Sequence, residues 1–225
     1  MEITKLVLGA LGTNCYIAVD EATRKCAVID PAADASGILR ACRLAASGLK
    51  PEKILLTHAH FDHFGALNEL CGYGCDGSIG INSVGGLPFP EVYIGEYDMA
   101  GLTTPELNLS LSFAGFPMKF MGKAVPLSDG DTVTVGESTL KVIETPGHTP
   151  GSICFFDEKD GNIFSGDTVF AGSIGRTDFP GGNYSAIIES LEKVLKLDGK
   201  TVVYPGHGEP TTVEKERMTN PYFTR

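Results

Sequence analysis

Three histidines and one aspartate fall within six residues in the run Thr57-His58-Ala59-His60-Phe61-Asp62-His63. Imidazole nitrogens and carboxylate oxygens suit zinc, iron and manganese, and four of them in one short run exceed a local loop's share of a single tetrahedral ion. With His58 and His60 turned to one point, Asp62 and His63 can turn to a second point nearby. The plain alternative is a solvated loop with scattered histidines. The rest of the inventory argues against it. The chain has five histidines, and the other two sit in matching settings: His148 in Thr145-Pro146-Gly147-His148-Thr149-Pro150-Gly151 and His207 in Tyr204-Pro205-Gly206-His207-Gly208. Asp167, in Ser165-Gly166-Asp167-Thr168, is a further candidate of the same kind.

These residues share a position relative to the elements that must carry them. Each follows a short apolar run that reads as a buried strand: Lys53-Ile54-Leu55-Leu56, Thr139 to Glu144, Asn162-Ile163-Phe164 and Thr201-Val202-Val203. Glycine or proline beside most of them lets the backbone turn sharply as the strand ends. A site assembled from strand exits rests on a rigid frame.

Composition narrows the partners. Eighteen Lys and Arg against 28 Asp and Glu give a net charge of −10, and no basic cluster occurs, so a nucleic-acid surface is not expected. A hydrophobic content of 42% supports a sizeable core, and 225 residues fit one sandwich-type domain spanning 1–225. No apolar stretch reaches membrane-spanning length, and the N-terminus lacks a secretory pattern, so the expectation is a cytoplasmic protein with no membrane partner. Of six cysteines, Cys15, Cys26, Cys42 and Cys154 sit among apolar residues as small hydrophobes. Cys71 and Cys75 flank Gly72-Tyr73-Gly74 and are expected to be exposed, as a thiol pair or half of a metal site that no second cysteine pair completes.

Along the chain, residues 2 to 30 predict an antiparallel meander, and Asp34 to Gly48 a helix capped by Asp34. Phe64 to Leu70 predicts a short helix beside the histidine run. The stretch from about 71 to 123 is irregular and glycine-rich, and suits a substrate-covering loop. Within it Val92-Tyr93-Ile94 reads as an outer strand, while the alternation of Leu107, Leu109, Leu111 and Phe113 leaves helix against strand open. Thr132-Val133-Thr134-Val135 and Thr139 to Ile143 form a hairpin, Ile153 to Phe164 another, and Tyr184 to Leu197 the clearest helix, with Gly199 at its end. A final strand delivers His207, followed by a charged segment, Glu214 to Arg217, and a loose tail. Two sheets with helices outside each is the expected architecture.

With these residues together, the chain resembles the metallo-β-lactamase superfamily, specifically its glyoxalase II-like (hydroxyacylglutathione hydrolase-like) branch. The carriers are Thr57 to His63, Pro146-Gly147-His148-Thr149, Gly166-Asp167-Thr168 and Pro205-Gly206-His207-Gly208, with Phe170 to Asp178 as a branch-level match. The resemblance implies an α/β fold, a four-layer αβ/βα sandwich with metals at one edge between the sheets. It implies that His58, His60 and His148 hold a first divalent ion, and Asp62, His63 and His207 a second, with Asp167 bridging. Zinc is the expected metal, with iron or manganese as substitutes. A glutamate in place of the second histidine accompanies di-iron redox chemistry, and His60 at that position favours hydrolysis. Eighteen residues follow His207, which matches the short version lacking the C-terminal helical domain. Arg176 falls in the loop that binds glutathione, while Asp178 stands where an aromatic contact is expected.

The implied activity is hydrolysis of a small-molecule acyl thioester such as S-D-lactoylglutathione. A hydroxide held between two ions is nucleophilic at neutral pH. A thiol of pKa about 8.5 leaves without a strong general acid, and every histidine is already spent on metal. Asp62 and Asp167 are the carboxylates of that machinery. The alternatives are a mononuclear-iron persulfide dioxygenase, a dinuclear lactonase, and a metal-binding protein without catalysis.

Overall fold

The computed structural model describes residues 1–45, 51–73 and 89–223. The first six strands make one mixed sheet in sequence order: β1 (Glu2–Leu8), β2 (Thr13–Val19), β3 (Cys26–Ile29), β4 (Lys53–Leu56), β5 (Glu91–Gly95) and β6 (Ala124–Leu127). β1 to β3 pair antiparallel, as the meander predicts, and β3 to β6 pair parallel. β5 is therefore not an outer strand: β4 and β6 flank it. The edge falls instead to β6, which sequence patterning missed because Pro126 interrupts it, and proline is tolerated at a sheet edge.

The second sheet runs β14-β13-β10-β9-β8-β7, from β7 (Thr132–Val135), β8 (Ser138–Glu144), β9 (Ile153–Asp157), β10 (Asn162–Gly166), β13 (Val202–Pro205) and β14 (Thr211–Thr212). A small hairpin, β11 (Val169–Phe170) and β12 (Ser173–Ile174), projects between β10 and the last long helix. Four helices are α-helical over α1 (Ala35–Ala45), α2 (Leu67–Leu70), α3 (Ser110–Phe113) and α4 (Tyr184–Leu195), and α5 (Val213–Thr219) follows β14.

Three apolar clusters stack these elements into four layers. β2 shows why: Cys15, Ile17 and Val19 face α1 and α2, while Tyr16 and Ala18 face the other sheet. A strand buried on both faces carries an unbroken apolar run. Leu140, Val142, Ile153, Phe155 and Phe164 meet Tyr16, Ile29 and Leu55 across the middle layer, and Leu191, Val194 and Val213 of α4 and α5 cover the far face. The α/β sandwich with helices outside two sheets is the expected fold.

Local expectations fare unevenly. Asp34 does cap α1, accepting from Gly37 N at 3.0 Å. Asn183 caps α4 by accepting from Ala186 N, and that helix stops at Leu195 with Tyr184 exposed at its start. Phe64 to Leu70 is less helical than expected: a 3-10 turn at Phe61–His63 precedes the single turn α2. The open choice at Leu107 to Phe113 resolves into the one-turn α3, entered through a left-handed Leu109. Cys71 is buried, not exposed, because it packs under the apolar layer with Leu67 and Leu70; Cys75 and the rest of 74–88 lie outside the described residues. The charged terminal segment is ordered as α5, because Glu216 is buried and accepts from Gly172 N, Thr211 Oγ1 and Asn220 Nδ2. No described helix is long and apolar enough to cross a membrane.

Candidate metal centre

The four strand exits meet along one edge between the sheets. β4 delivers Thr57 and the histidine run, whose turn at Phe61–His63 puts Asp62 and His63 on the inside. β8 leads through Gly147 to His148, and β13 through Gly206 to His207. β10 shifts register between Phe164 and Gly166, an irregularity that re-aims the chain to present Asp167. The approach is close enough to require glycine: a Cβ at Gly206 would overlap Asp167 Oδ1, and one at Gly175 would overlap the Asp167 carbonyl.

Across the sheets the frame is stitched. Asn14 and Tyr16 of β2 both donate to the Pro205 carbonyl, at 2.9 and 2.6 Å, and Asn14 N donates to Gly206 O at 2.7 Å. Ile153 N donates to Thr57 O at 2.9 Å.

All seven expected residues come together. His60 Nδ1 lies 3.1 Å from His58 Nε2 and 2.9 Å from His148 Nε2. His207 Nε2 lies 3.4 Å from Asp62 Oδ2, and His63 Nε2 lies 3.6 Å from the same oxygen. Asp167 sits between the two groups, 3.5 Å from each of His63, His148 and His207. Donor atoms of His58, His60 and His148, of Asp62, His63 and His207, and of His58, His63 and Asp167 lie within 4.8 Å of one another in each set.

The electrostatics differ across the cluster. Burial, then the other imidazoles, push His58 well below the ordinary histidine range and His60 down to about 2. Burial opposes charge on His63 too, but Asp62, Asp167 and Asp30 outweigh it and raise it to about 10. His207 is likewise raised, by Asp62 and Asp167 against burial. Asp62 is held low despite burial, chiefly by His63 and His207 and by the Thr13 hydroxyl, which donates to it at 2.7 Å.

The donor set fits divalent ions. A tetrahedral ion with ligands at about 2.0–2.1 Å spaces its nitrogens about 3.3 Å apart, close to what the first trio shows. Buried His63 Nε2 and Asp167 Oδ1 have no hydrogen-bond partner, and such orphaned atoms are rare unless an ion or water completes them.

The metallo-beta-lactamase superfamily model matches residues 8–207. The chain belongs to that superfamily. A hydroxyacylglutathione hydrolase of Haemophilus influenzae is 30% identical, over 99% of this chain and 98% of that protein. The BLEG-1 B3 metallo-beta-lactamase superposes with a TM-score of 0.85 at 33% identity, covering 100% of both chains. TTHA1623, solved in a di-iron-bound form, gives 0.79 at 32% identity, covering 97% of this chain and 99% of that one. This superfamily member is thus a metallo-hydrolase-type enzyme whose histidine and aspartate cluster could hold metal.

Some residues that build this metallo-β-lactamase site escaped the sequence reading. Asp30 accepts from Thr57 N at 2.8 Å, Thr57 Oγ1 at 2.7 Å and His63 Nδ1 at 2.9 Å. It adopts a left-handed φ of 51°, which aspartate tolerates better than most residues. Asp98 accepts from Ala59 N at 2.9 Å, Thr149 Oγ1 at 2.8 Å and Gly151 N at 2.7 Å, so it ties the His58–His60 loop to the His148 loop. Asp30 follows strand β3 and precedes Pro31, the same strand-exit signature as the ligands, so that signal was present. Asp98 carries none.

The cluster opens into a cavity of about 420 Å³ walled by Leu11, Leu109, Phe113, Phe170, Ile174 and Phe179. Arg176 reaches this cavity, as the resemblance implies, but its guanidinium makes two 2.7 Å bonds to Asp178 and lies 3.7 Å over the Phe179 ring. An aromatic ring thus lies one residue beyond Asp178, at Phe179. The Arg176 carbonyl accepts from His148 Nδ1 at 2.8 Å, fixing that ring's tautomer.

Proposed function

We propose that this protein is a dinuclear metal-dependent hydrolase of acyl thioesters. The observation that carries the reading is that all five histidines and both Asp62 and Asp167 converge in one cluster, while the cavity wall offers one hydroxyl, Ser173, and no lysine or tyrosine among the described residues. No spare group stands ready to protonate a leaving nitrogen or alkoxide. A leaving group whose conjugate acid has a pKa of about 8.5, a thiol, departs unaided.

In this reading His58, His60 and His148 hold one ion and Asp62, His63 and His207 the other, with Asp167 facing both. Zinc best suits the donor set, and iron or manganese would also fit. Bound divalent ions would supply Lewis-acid polarisation of the acyl carbonyl and activation of water near neutral pH. The chain's own residues do the rest. Asp30 holds His63, and the Arg176 carbonyl holds His148, each through Nδ1, so that Nε2 faces the centre. Thr13 orients Asp62. The aromatic wall positions the acyl group and excludes bulk water from the reacting carbon.

The test is thiol release from S-D-lactoylglutathione and S-acyl-N-acetylcysteamine by the metal-loaded protein, with a chelated sample beside it. Metal-dependent release from either supports the reading. No release from either, with both ions bound, overturns it, and oxygen uptake with a glutathione persulfide or lactone opening then identifies which rival chemistry applies.

A further inference from the structure

The walls of the site say which thioester. Among the described residues lining the cavity over the cluster, Arg176 is the one lysine or arginine, and it is already engaged by Asp178. The adjoining cavity of about 350 Å³ shares Leu11, Phe61 and Asp62 and adds two acids, Asp34 and Glu69, but no lysine or arginine. Aromatic rings line the rest: Phe179, beneath the Arg176 guanidinium, meets Phe113 at 5.3 Å and His60 at 5.9 Å, and Phe170 meets His207 at 6.1 Å.

We infer that the site selects an apolar acyl thioester with an uncharged thiol portion and disfavours thiols that carry carboxylates, such as glutathione. This rests on the thioester reading and specifies its substrate class. An incoming carboxylate would have to displace Asp178 from a bidentate pair two residues away along the same loop. The exchange replaces one carboxylate by another and gains little, because exposed ion pairs are weak. The displaced Asp178 then stays beside the ligand as a like charge, within a chain of net charge −10. An apolar chain meets no such competitor, and each buried CH₂ adds to its affinity.

Binding of non-hydrolysable thioethers separates this inference from the activity. The metal-loaded protein is titrated calorimetrically with S-hexyl-N-acetylcysteamine and with S-hexylglutathione, which share the alkyl group and differ in the charged arms. The neutral thioether is expected to bind at least about tenfold tighter. Equal affinity, a preference for the glutathione conjugate, or no binding of either overturns the inference. Asp178→Asn, at an exposed position, frees the guanidinium and should narrow the ratio at least about threefold, through gain by the glutathione conjugate. An unchanged ratio removes Asp178 as the cause and overturns the assignment. Absence of thioester turnover with the binding preference intact would instead sink the thioesterase reading and leave only the site's preference for uncharged ligands.

Discussion

The two donor trios are built from similar side chains and backed in opposite ways. His58, His60 and His148 are deeply buried, contain no carboxylate, and lean on neutral partners: a backbone carbonyl behind His148, and amides and a hydroxyl gathered by Asp98. In the second trio Asp62 and His207 lie nearer the surface while His63 is fully buried, and Asp62 is its one carboxylate, with Asp30 a second behind them. Imidazole charge is suppressed on His58 and His60 and favoured on His63 and His207. Ligand type alone therefore does not set the character of a site. Under the two-ion reading, an ion among three neutral imidazoles keeps more of its charge for a substrate carbonyl, and one beside Asp62 gives up more.

Asp167 belongs to both sides, so removing it should have the largest effect. Asp167→Ala is expected to strip both ions and cut thioester turnover by more than the roughly 100-fold that loss of a supporting partner costs. Metal analysis after gel filtration reads the first effect and thiol release the second. A variant that keeps two ions and full activity would break the comparison at its centre. Gly206→Ala should act in the same direction, because its Cβ would occupy the space of Asp167 Oδ1.

The two supports distinguish the trios from each other. Asp30 Oδ2 serves both the Thr57 hydroxyl and His63 Nδ1. Asp30→Asn can set an amide donor against those donors, leaving buried groups unpaired at about 1–3 kcal/mol each. The expected result is a roughly 10–100-fold weaker ion at the second trio and a smaller weakening at the first, because the Thr57 hydroxyl that Asp30 holds also meets His58 Nδ1 at 3.1 Å. The affinity to watch is the one that His207→Ala abolishes; equal weakening of the one that His148→Ala abolishes would show the trios are not independently supported. Asp98→Asn should do the reverse, and less strongly, at about tenfold. Asp98 holds backbone at Ala59 and Gly151 rather than an imbedded imidazole, and Thr149 Oγ1 keeps Ser152 as a second partner.

That division also explains what could be read from the chain. The convergence of the candidate ligands was legible because histidine is scarce here and each one follows an apolar run and a turn. The supports were harder: Asp30 shares the strand-exit signature but Asp98 has none, both are among many acids, and their partners lie 27 to 53 residues away. Only the parallel pairing of β3 with β4 puts Asp30 beside Thr57. The sheets were legible from alternation and β-branched runs, apart from β6, where Pro126 broke the pattern. α5 was not, because its sequence is mostly charged, and the burial of Glu216 depends on hydrogen bonds to the distant Gly172 and to Asn220. Period-based reading sees apolar faces and misses buried polar ones.

The smallest expected effect tests whether the second trio is tuned as well as held. Thr13 lies on β2, is buried, and donates one hydrogen bond to Asp62 Oδ2. Thr13→Val keeps the shape and the strand propensity and removes that one bond to a charged acceptor, worth about 1.5–3 kcal/mol at most. Part of the loss returns, because an ion at the second trio would itself neutralise Asp62. The net expectation is a weakening of about three- to tenfold in the affinity that His207→Ala abolishes, none in the other, and an unchanged fold by circular dichroism. A loss as large as that of Asp30→Asn would place the Thr13 bond on a par with a carboxylate support. No loss at all would mean that the ion alone fixes Asp62, and that the contrast between the trios rests on Asp30.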